Sequence, residues 1–383
     1  MTRQRKGPPF ACVALTLQGG GALGAYQAGV YQALAEAELH PDWVAGISIG
    51  SINAAIIAGN PPGARVERLR GFWDVVTSTP GFDAFSLLGR DLLTGDAGRR
   101  FVDQMSAATA VMVGVSGFFR PRLLPPFLER SASPGATSFY DTVPLAATLE
   151  RFVDFDRINA RETRLSVGAV NVESGNFVYF DSTTHRIGPE HIMASGALPP
   201  GFPAIEIDGQ HYWDGGLVSN SPLQWVLQYG PRQDTLAFEV DLWSARGRFP
   251  RDVMEVATRE KEIRYSSRTR DNVDRFADTQ RLRHAVAKLL DLLPEDTRRR
   301  PEAVALETFA DDKVYNIIHL IYRSKIWEGE SKDYEFSTLG MRDHWNAGYR
   351  DTVATLRHPE VLERPKNSDG IAIFDCATPD PGK

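Results

Sequence analysis

The sequence predicts an α/β fold built on a parallel sheet, and two observations carry that expectation. Strand-like and helix-like segments alternate between Cys12 and Gly59, the rhythm of a right-handed βαβ unit. Glycine-rich turns stand where each of the first two strands hands over to its helix. With 383 residues the chain has ample length for a sizeable core, in one large or two ordinary domains.

Residues 1–10, "MTRQRKGPPF", are basic but lack the apolar stretch of a secretory signal, and read as a disordered lead-in. "CVALTLQ" (Cys12–Gln18) is a short buried strand ending at glycines. "ALGAYQAGVYQALAEAEL" follows as a helix with Leu23, Tyr26, Val30 and Leu34 on one face. "WVAGIS" (Trp43–Ser48) is the second strand, and "IGSINAAIIAG" a helix stopped by Gly59, Pro61 and Pro62. From 81 to 140 the rhythm is lost. The apolar, proline-broken stretch Ala108–Leu128 is either a lid or interfacial insertion or part of the core with a loop through it.

Sheet-like sequence returns at Arg164–Ser182, where "ESGN" marks a hairpin turn. "PEHIMASGALPPGFP" reads as a short helix and a proline-rich loop. "QHYWDGGLVSNSPLQWVLQYG" is strand, loop and helix, with Ser221 as N-cap and Pro222 in the first turn. "TLAFEVDLW" and "KVYNIIHLIYR" are further strands. Between them the chain becomes charged and helical. Residues 244–363 are therefore expected as a helical extension packed on a catalytic domain of residues 11–243, and 364–383 as a loosely ordered tail.

Composition excludes some functions. A net charge of −6 argues against non-specific nucleic-acid binding, which needs a basic surface. Two cysteines, Cys12 and Cys376, give neither a disulfide framework nor a zinc spacing and suit a reducing cytosol. No run approaches the roughly 18 apolar residues of a membrane-spanning helix, so any membrane contact is expected to be peripheral.

Two motifs carry chemistry. Gly46-Ile47-Ser48-Ile49-Gly50 is a G-x-S-x-G at a strand–helix junction, where a nucleophile elbow needs a sharp turn and small residues on either side. Ser48 would stand at the positive end of a helix with the Ile49 N–H aimed at an oxyanion. Gly19, Gly21 and Gly24 satisfy the dinucleotide pattern G-x-G-x-x-G, but the second strand ends in Gly-Ile-Ser rather than in a ribose-binding acid. No Lys-Ser/Thr follows the glycines, so a P-loop is excluded as well. The loop Gly19-Gly20-Gly21 is better read as donor groups for a tetrahedral oxyanion.

A serine hydroxyl needs a general base. His284, His319, His344 and His358 sit in helices, strands or loops of the wrong kind. The better candidate is Asp214 in "HYWDGGLVSNSP", although Asp-Gly alone is most often a turn. It ends a strand, and Gly215 and Gly216 allow the backbone to crowd; a carboxylate there can face Ser48 across the top of the sheet.

Together "GGGALG" (Gly19–Gly24), "GISIG" (Gly46–Gly50) and "DGG" (Asp214–Gly216), with "ASGALPPGFP" before the aspartate, resemble the patatin-like phospholipases from about Ala11 to Trp243. The resemblance implies a central, mainly parallel sheet flanked by helices in an α/β/α sandwich. It implies lipid acyl hydrolysis without metal or other cofactor, Ser48 as nucleophile, Asp214 as its partner and the Gly19–Gly21 loop as oxyanion hole. The expected partner is a lipid or acyl-ester substrate, with peripheral contact to a lipid surface and no nucleic acid. One position departs: Leu23 stands where the family commonly carries Arg or Lys, which leaves an intracellular carboxylesterase, thioesterase or acyl-oligomer hydrolase as an alternative, and a lipid-binding pseudo-enzyme as another.

Overall fold

The computed structural model describes residues 7–79, 95–131, 133–266, 269–325, 327–367 and 369–376. Its centre is a nine-stranded sheet among the described residues, in the order β11-β10-β9-β1-β2-β5-β8-β7, with β6 paired to β5. The strands are β1 (Cys12–Leu17), β2 (Trp43–Ile47), β5 (Arg164–Asn171), β6 (Phe177–Asp181), β7 (Ile205–Ile207), β8 (Gln210–Asp214), β9 (Thr235–Asp241), β10 (Tyr315–Ile321) and β11 (Ile371–Phe374). A separate two-residue pair, β3 (Arg120–Pro121) and β4 (Tyr140–Asp141), is antiparallel. From β11 across to β5 every neighbouring pair is parallel, and only β6, β7 and β8 run against their neighbours. The sheet is therefore mainly parallel, as the resemblance implies. Continuous apolar runs such as "CVALTL" are what a strand covered on both faces requires.

Helices cover both faces. On one lie α1 (Ala25–Glu36), α2 (Ile49–Ala58) and α3 (Arg65–Val76), packed on Leu15, Leu17, Val44 and Phe238. In chain order there follow α4 (Asp96–Val113), α5 (Val143–Phe152), α6 (Phe155–Asn159), α7 (Pro189–Ser195), α8 (Leu223–Tyr229), α9 (Val253–Ser266), α10 (Thr269–Leu292), α11 (Glu295–Arg298), α12 (Pro301–Glu307) and α13 (Thr338–Leu356). The opposite face, with Ala14, Ala45, Ala237 and Ile317, is covered by Leu223 and Val226 of α8 and Phe276 of α10. All ten residues of α2 are buried, and α1 is buried well beyond its predicted face. α13 explains the latter: Tyr26 Oη donates to Asp351 (2.9 Å) and Trp345 Nε1 to Gln32 (2.7 Å).

Residues 244–363, expected as a helical extension, also supply β10 to the sheet and α13 to one helical layer. The tail expected to be loosely ordered contains β11, whose Ile371–Phe374 pair in register with Tyr315–Ile318. α8 begins one step later than predicted: Pro222 holds the N-cap position and the Ser221 hydroxyl instead donates to Glu239 (2.7 Å). Of the predicted insertion, residues 81–94 lie outside the described residues; the rest forms α4 and the β3–β4 pair. No helix among the described residues is long and apolar enough to cross a membrane.

Candidate active site

β2 ends at Ile47, and Ser48 turns the chain into α2 with φ 56 and ψ −126, a left-handed conformation rare for a side-chain-bearing residue. Holding it costs on the order of 1–3 kcal/mol, so neighbours must fix it. The Ser48 N–H donates to Ser195 Oγ (3.0 Å), which in turn donates to the Gly168 carbonyl (2.7 Å). The Ser48 carbonyl accepts from the Ser51 hydroxyl (2.6 Å) and from the Ser51 N–H (2.9 Å). Gly46 and Gly50 make room for the turn. A methyl on Gly46 would lie 2.2 Å from the Gly50 carbonyl oxygen, and one on Gly50 would lie 2.2 Å from that of Leu17.

The pairing of β5 delivers Asp214 to this turn. Residues 166–168 of β5 pair with β2 on one edge and β6 on the other, and Ala169 and Val170 pair with β8 and β6. β8 therefore takes over the edge of β5 that β2 leaves: Ile47 faces Gly168, and Asp214 faces Ala169, one residue further. Where β2 departs at Ser48, the end of β8 places its aspartate. The Ser48 hydroxyl lies close enough to the Asp214 carboxylate to favour its charged form, and the Gly216 N–H donates to Asp214 Oδ1 (2.7 Å). Gly215 packs against the Gly168 carbonyl, where a methyl would approach to 2.6 Å.

Asp214 is buried while Ser48 keeps partial access to solvent. Burial pushes the Asp214 carboxyl up to about 6, against the nearby Ser48 hydroxyl and the Gly216 hydrogen bond, which favour its charged form. A carboxylate tuned in this way can take a proton near neutral pH. No histidine is among the groups that act on the Asp214 carboxyl, and among the described residues His319 pairs with Glu239, His344 with Glu328 and His358 with Glu360.

The glycine loop lies against the turn. A methyl on Gly19 would meet the Ser48 Cβ at 3.0 Å. Gly19 is held on both sides by the Asn220 amide, its N–H donating to Oδ1 and its carbonyl accepting from Nδ2, each at 3.1 Å. Trp243 Nε1 adds a second donor to that carbonyl (2.9 Å), and Gln27 holds the preceding one (2.7 Å). The Gly19 N–H is thus engaged, whereas those of Gly20, Gly21 and Ile49 have no partner among the described residues. Three unpartnered donors beside a helix start and a hydroxyl are chemically able to hold an anion. Gly21 has φ 54 and lies against the Asp333 carbonyl oxygen, 2.0 Å from where a methyl would stand. Leu23 is fully buried, so this loop carries no cation. Asp42 accepts from the Val13 N–H (2.9 Å), before β2 rather than beyond its carboxyl end, and a ribose acid is absent from the site.

Ser195, Asn220 and Trp243 escape a reading of the sequence. The "SNS" after Asp-Gly-Gly is a weak sign of a side chain that can both donate and accept; Ser195 falls inside "ASGALPPGFP" but nothing there marks its role, and nothing local marks Trp243.

A 1120 Å³ cavity opens beside the loop, on the side of Trp243, and its lining includes Trp243 but neither Ser48 nor Asp214. The insertion also carries an exposed apolar surface: Leu123 is 101% exposed and Phe127 78%. It is anchored through Phe119 and Tyr140, whose rings meet Phe202 at 5.1 and 6.1 Å. Phe202 belongs to the loop after α7, which backs the dyad through the Asp214 N–H to Ala197 carbonyl bond (3.0 Å).

The patatin-like phospholipase family model matches residues 15–227, and a second model, described as patatin phospholipase, matches 263–368. No curated protein matches the chain. Among solved structures, VipD from Legionella pneumophila is similar at 14% identity and a TM-score of 0.39, over 98% of this chain and 76% of that one. The type III effector protein ExoU is similar at 16% identity and a TM-score of 0.32, over 93% of this chain and 55% of that one. Full-length ExoU from Pseudomonas aeruginosa in complex with SpcU gives 16% identity and a TM-score of 0.27, over 79% and 60%. The chain spans little more than half the length of ExoU.

Proposed function

The chain belongs to the patatin-like phospholipase family and is an ester-bond hydrolase, and we propose that it cleaves carboxylic esters of lipids through a Ser48–Asp214 dyad. The observation that carries this reading is a strained, accessible serine set beside a buried carboxylate of raised pKa. Asp214 takes the Ser48 proton as Oγ attacks the ester carbonyl, and the N–H groups of Gly20, Gly21 and Ile49 hold the oxyanion. Collapse expels the alcohol, which leaves with the proton Asp214 had accepted, and an acyl-serine remains. Asp214 then draws a proton from water, the hydroxide attacks the acyl carbon, and the fatty acid departs as Ser48 is reprotonated. Each oxyanion donor is worth about 3 kcal/mol in the transition state. Dyad chemistry of this kind involves no cofactor.

The exposed apolar surface around Leu123 and Phe127 suits contact with a lipid aggregate that feeds the site. Its loss is expected to separate two activities. Leu123→Asp with Phe127→Asp should cut hydrolysis of phospholipid vesicles by at least about tenfold, because apolar burial drives interfacial binding. Hydrolysis of a soluble short-chain p-nitrophenyl ester should be unchanged, and Ser48→Ala should abolish both. Equal rates on vesicles for variant and wild type would remove the lipid surface from the account. Buried Leu23 keeps a soluble ester or thioester substrate in play, and wild-type turnover of soluble esters without any of vesicles would favour it.

A further inference from the structure

A second cluster of reactive side chains lies on the sheet face that α8 and α10 cover, outside the dyad. Glu239 and Asp241 stand two residues apart on β9 and so share a face. His319, on β10, is the register neighbour of Glu239, which places all three side chains together. One ligand-capable atom from each lies within 4.8 Å of the other two. Both carboxylates are buried, Glu239 at 1% exposure and Asp241 at 4%, and the His319 side chain retains 11%.

These groups are poorly satisfied. Asp241 Oδ1 has no hydrogen-bond partner among the described residues. Glu239 Oε2 lies 2.8 Å from His319 Nδ1 but receives no aligned hydrogen bond, while Oε1 is taken by Ser221. No lysine or arginine among the described residues pairs with either carboxylate. Two carboxylates and one imidazole thus share a pocket with at most one positive charge between them. Burial of an uncompensated charge is costly, and native cores avoid it by pairing or by coordinating a metal. Asp241 and His319 also line the 1120 Å³ cavity, so the cluster is open on one side.

We propose that Glu239, Asp241 and His319 bind one divalent transition-metal ion, with three protein ligands and an open position toward the cavity. Two oxygens and one imidazole nitrogen match the donor set of Zn²⁺ or Mn²⁺, whereas Ca²⁺ and Mg²⁺ prefer oxygen alone. Ligand atoms sharing one zinc ion at tetrahedral angles lie about 3.3 Å apart, inside the 4.8 Å that bounds these three, with Glu239 Oε2 and His319 Nδ1 opening slightly from 2.8 Å. The ion would compensate Asp241, whose Oδ1 nothing else pairs, and would share Glu239 with His319. Its place is structural and separate from the dyad. β9 continues into Leu242 and Trp243, whose N–H groups hold Gln18 Oε1 (2.7 and 3.1 Å), and Ser221 follows Asn220 in sequence. Both side chains that clamp Gly19 therefore stand next to segments the ion would brace.

Isothermal calorimetry on chelator-stripped full-length protein tests the site with Zn²⁺, Mn²⁺, Mg²⁺ and Ca²⁺. One Zn²⁺ or Mn²⁺ per chain is expected, with a rise in Tm and with no such uptake of Mg²⁺ or Ca²⁺. Asp241→Asn and His319→Gln should each weaken binding by more than the roughly 10–100-fold that loss of an outer-shell partner costs. Should His319→Gln misfold by circular dichroism, Asp241→Asn, which keeps shape and volume, decides. No stoichiometric uptake by wild type would overturn the proposal and leave protons to satisfy the cluster. Uptake undiminished in a folded variant would overturn it equally, pointing to surface ligands. Neither readout uses hydrolysis, so its outcome is independent of the dyad.

Discussion

Asp214→Asn is expected to lose activity and gain stability together. As base, the carboxylate is the group that accepts the Ser48 proton, and its amide cannot; kcat/KM should fall by at least about 10⁴-fold, the range seen when a triad residue is disabled in place. The substitution keeps the size of the side chain and an oxygen for the Gly216 N–H. The stability side follows from the pKa. Burial raises the folded-state carboxyl to about 6 from its ordinary value of 3.8, so the folded state holds the proton more tightly than the unfolded chain. The stability this group contributes is fully present below 3.8 and is lost as pH rises through about 6. At pH 8 the ionised group costs up to about 3 kcal/mol, and the asparagine variant escapes that cost. Its Tm should exceed wild type at pH 8, with the gap closing toward pH 4. In wild type the same group should give kcat/KM an acid limb with a midpoint near 6. A variant that is inactive and also less stable at pH 8 would mean that Asp214 holds the turn together rather than serving as a base.

Gly21→Ala is expected to be the most damaging single change in the glycine loop. Gly21 adopts φ 54, which costs any other residue, and its missing side chain is where the Asp333 carbonyl rests, 2.0 Å from an ideal Cβ. A methyl there must displace either the loop or the 330–333 turn. An oxyanion donor has to be aimed and not merely present, so under the proposed mechanism kcat should fall by at least about 10²-fold, the cost of losing one such donor, with a smaller change in KM. Steady-state kinetics on a soluble ester measure this directly. Undiminished kcat would show that the loop takes no part in the transition state.

The contrast between Gly21 and Asn220 says what the sequence could and could not reveal. The elbow and the glycine loop were legible because their requirements are local: a strand, a tight turn and a helix within a few residues, with Gly46 and Gly50 flanking Ser48. Asp214 was legible for the same reason, ending a strand before two glycines. Its partnership with Ser48 was expected too, from the strand end and the family resemblance, but the strand pairing that delivers it, with β8 taking the edge of β5 where β2 leaves, was not. The positioning side chains were invisible. Ser195 reaches Ser48 across 147 residues and Asn220 reaches Gly19 across 201, and no periodicity records such pairs. β11 was hidden because four residues among prolines and aspartates carry little strand signal until β10 offers an edge. Similarly, the outer face of α1 made sense only with α13 laid against it.

Covalent capture of the nucleophile tests the central claim most directly. The purified protein would be incubated with a long-chain fluorophosphonate and the modified peptide identified by mass spectrometry. One label per chain on Ser48 is the expected result, absent in Ser48→Ala and strongly slowed in Asp214→Asn. A label on another residue in active enzyme, or full hydrolysis with Ser48 left unmodified, would contradict the dyad.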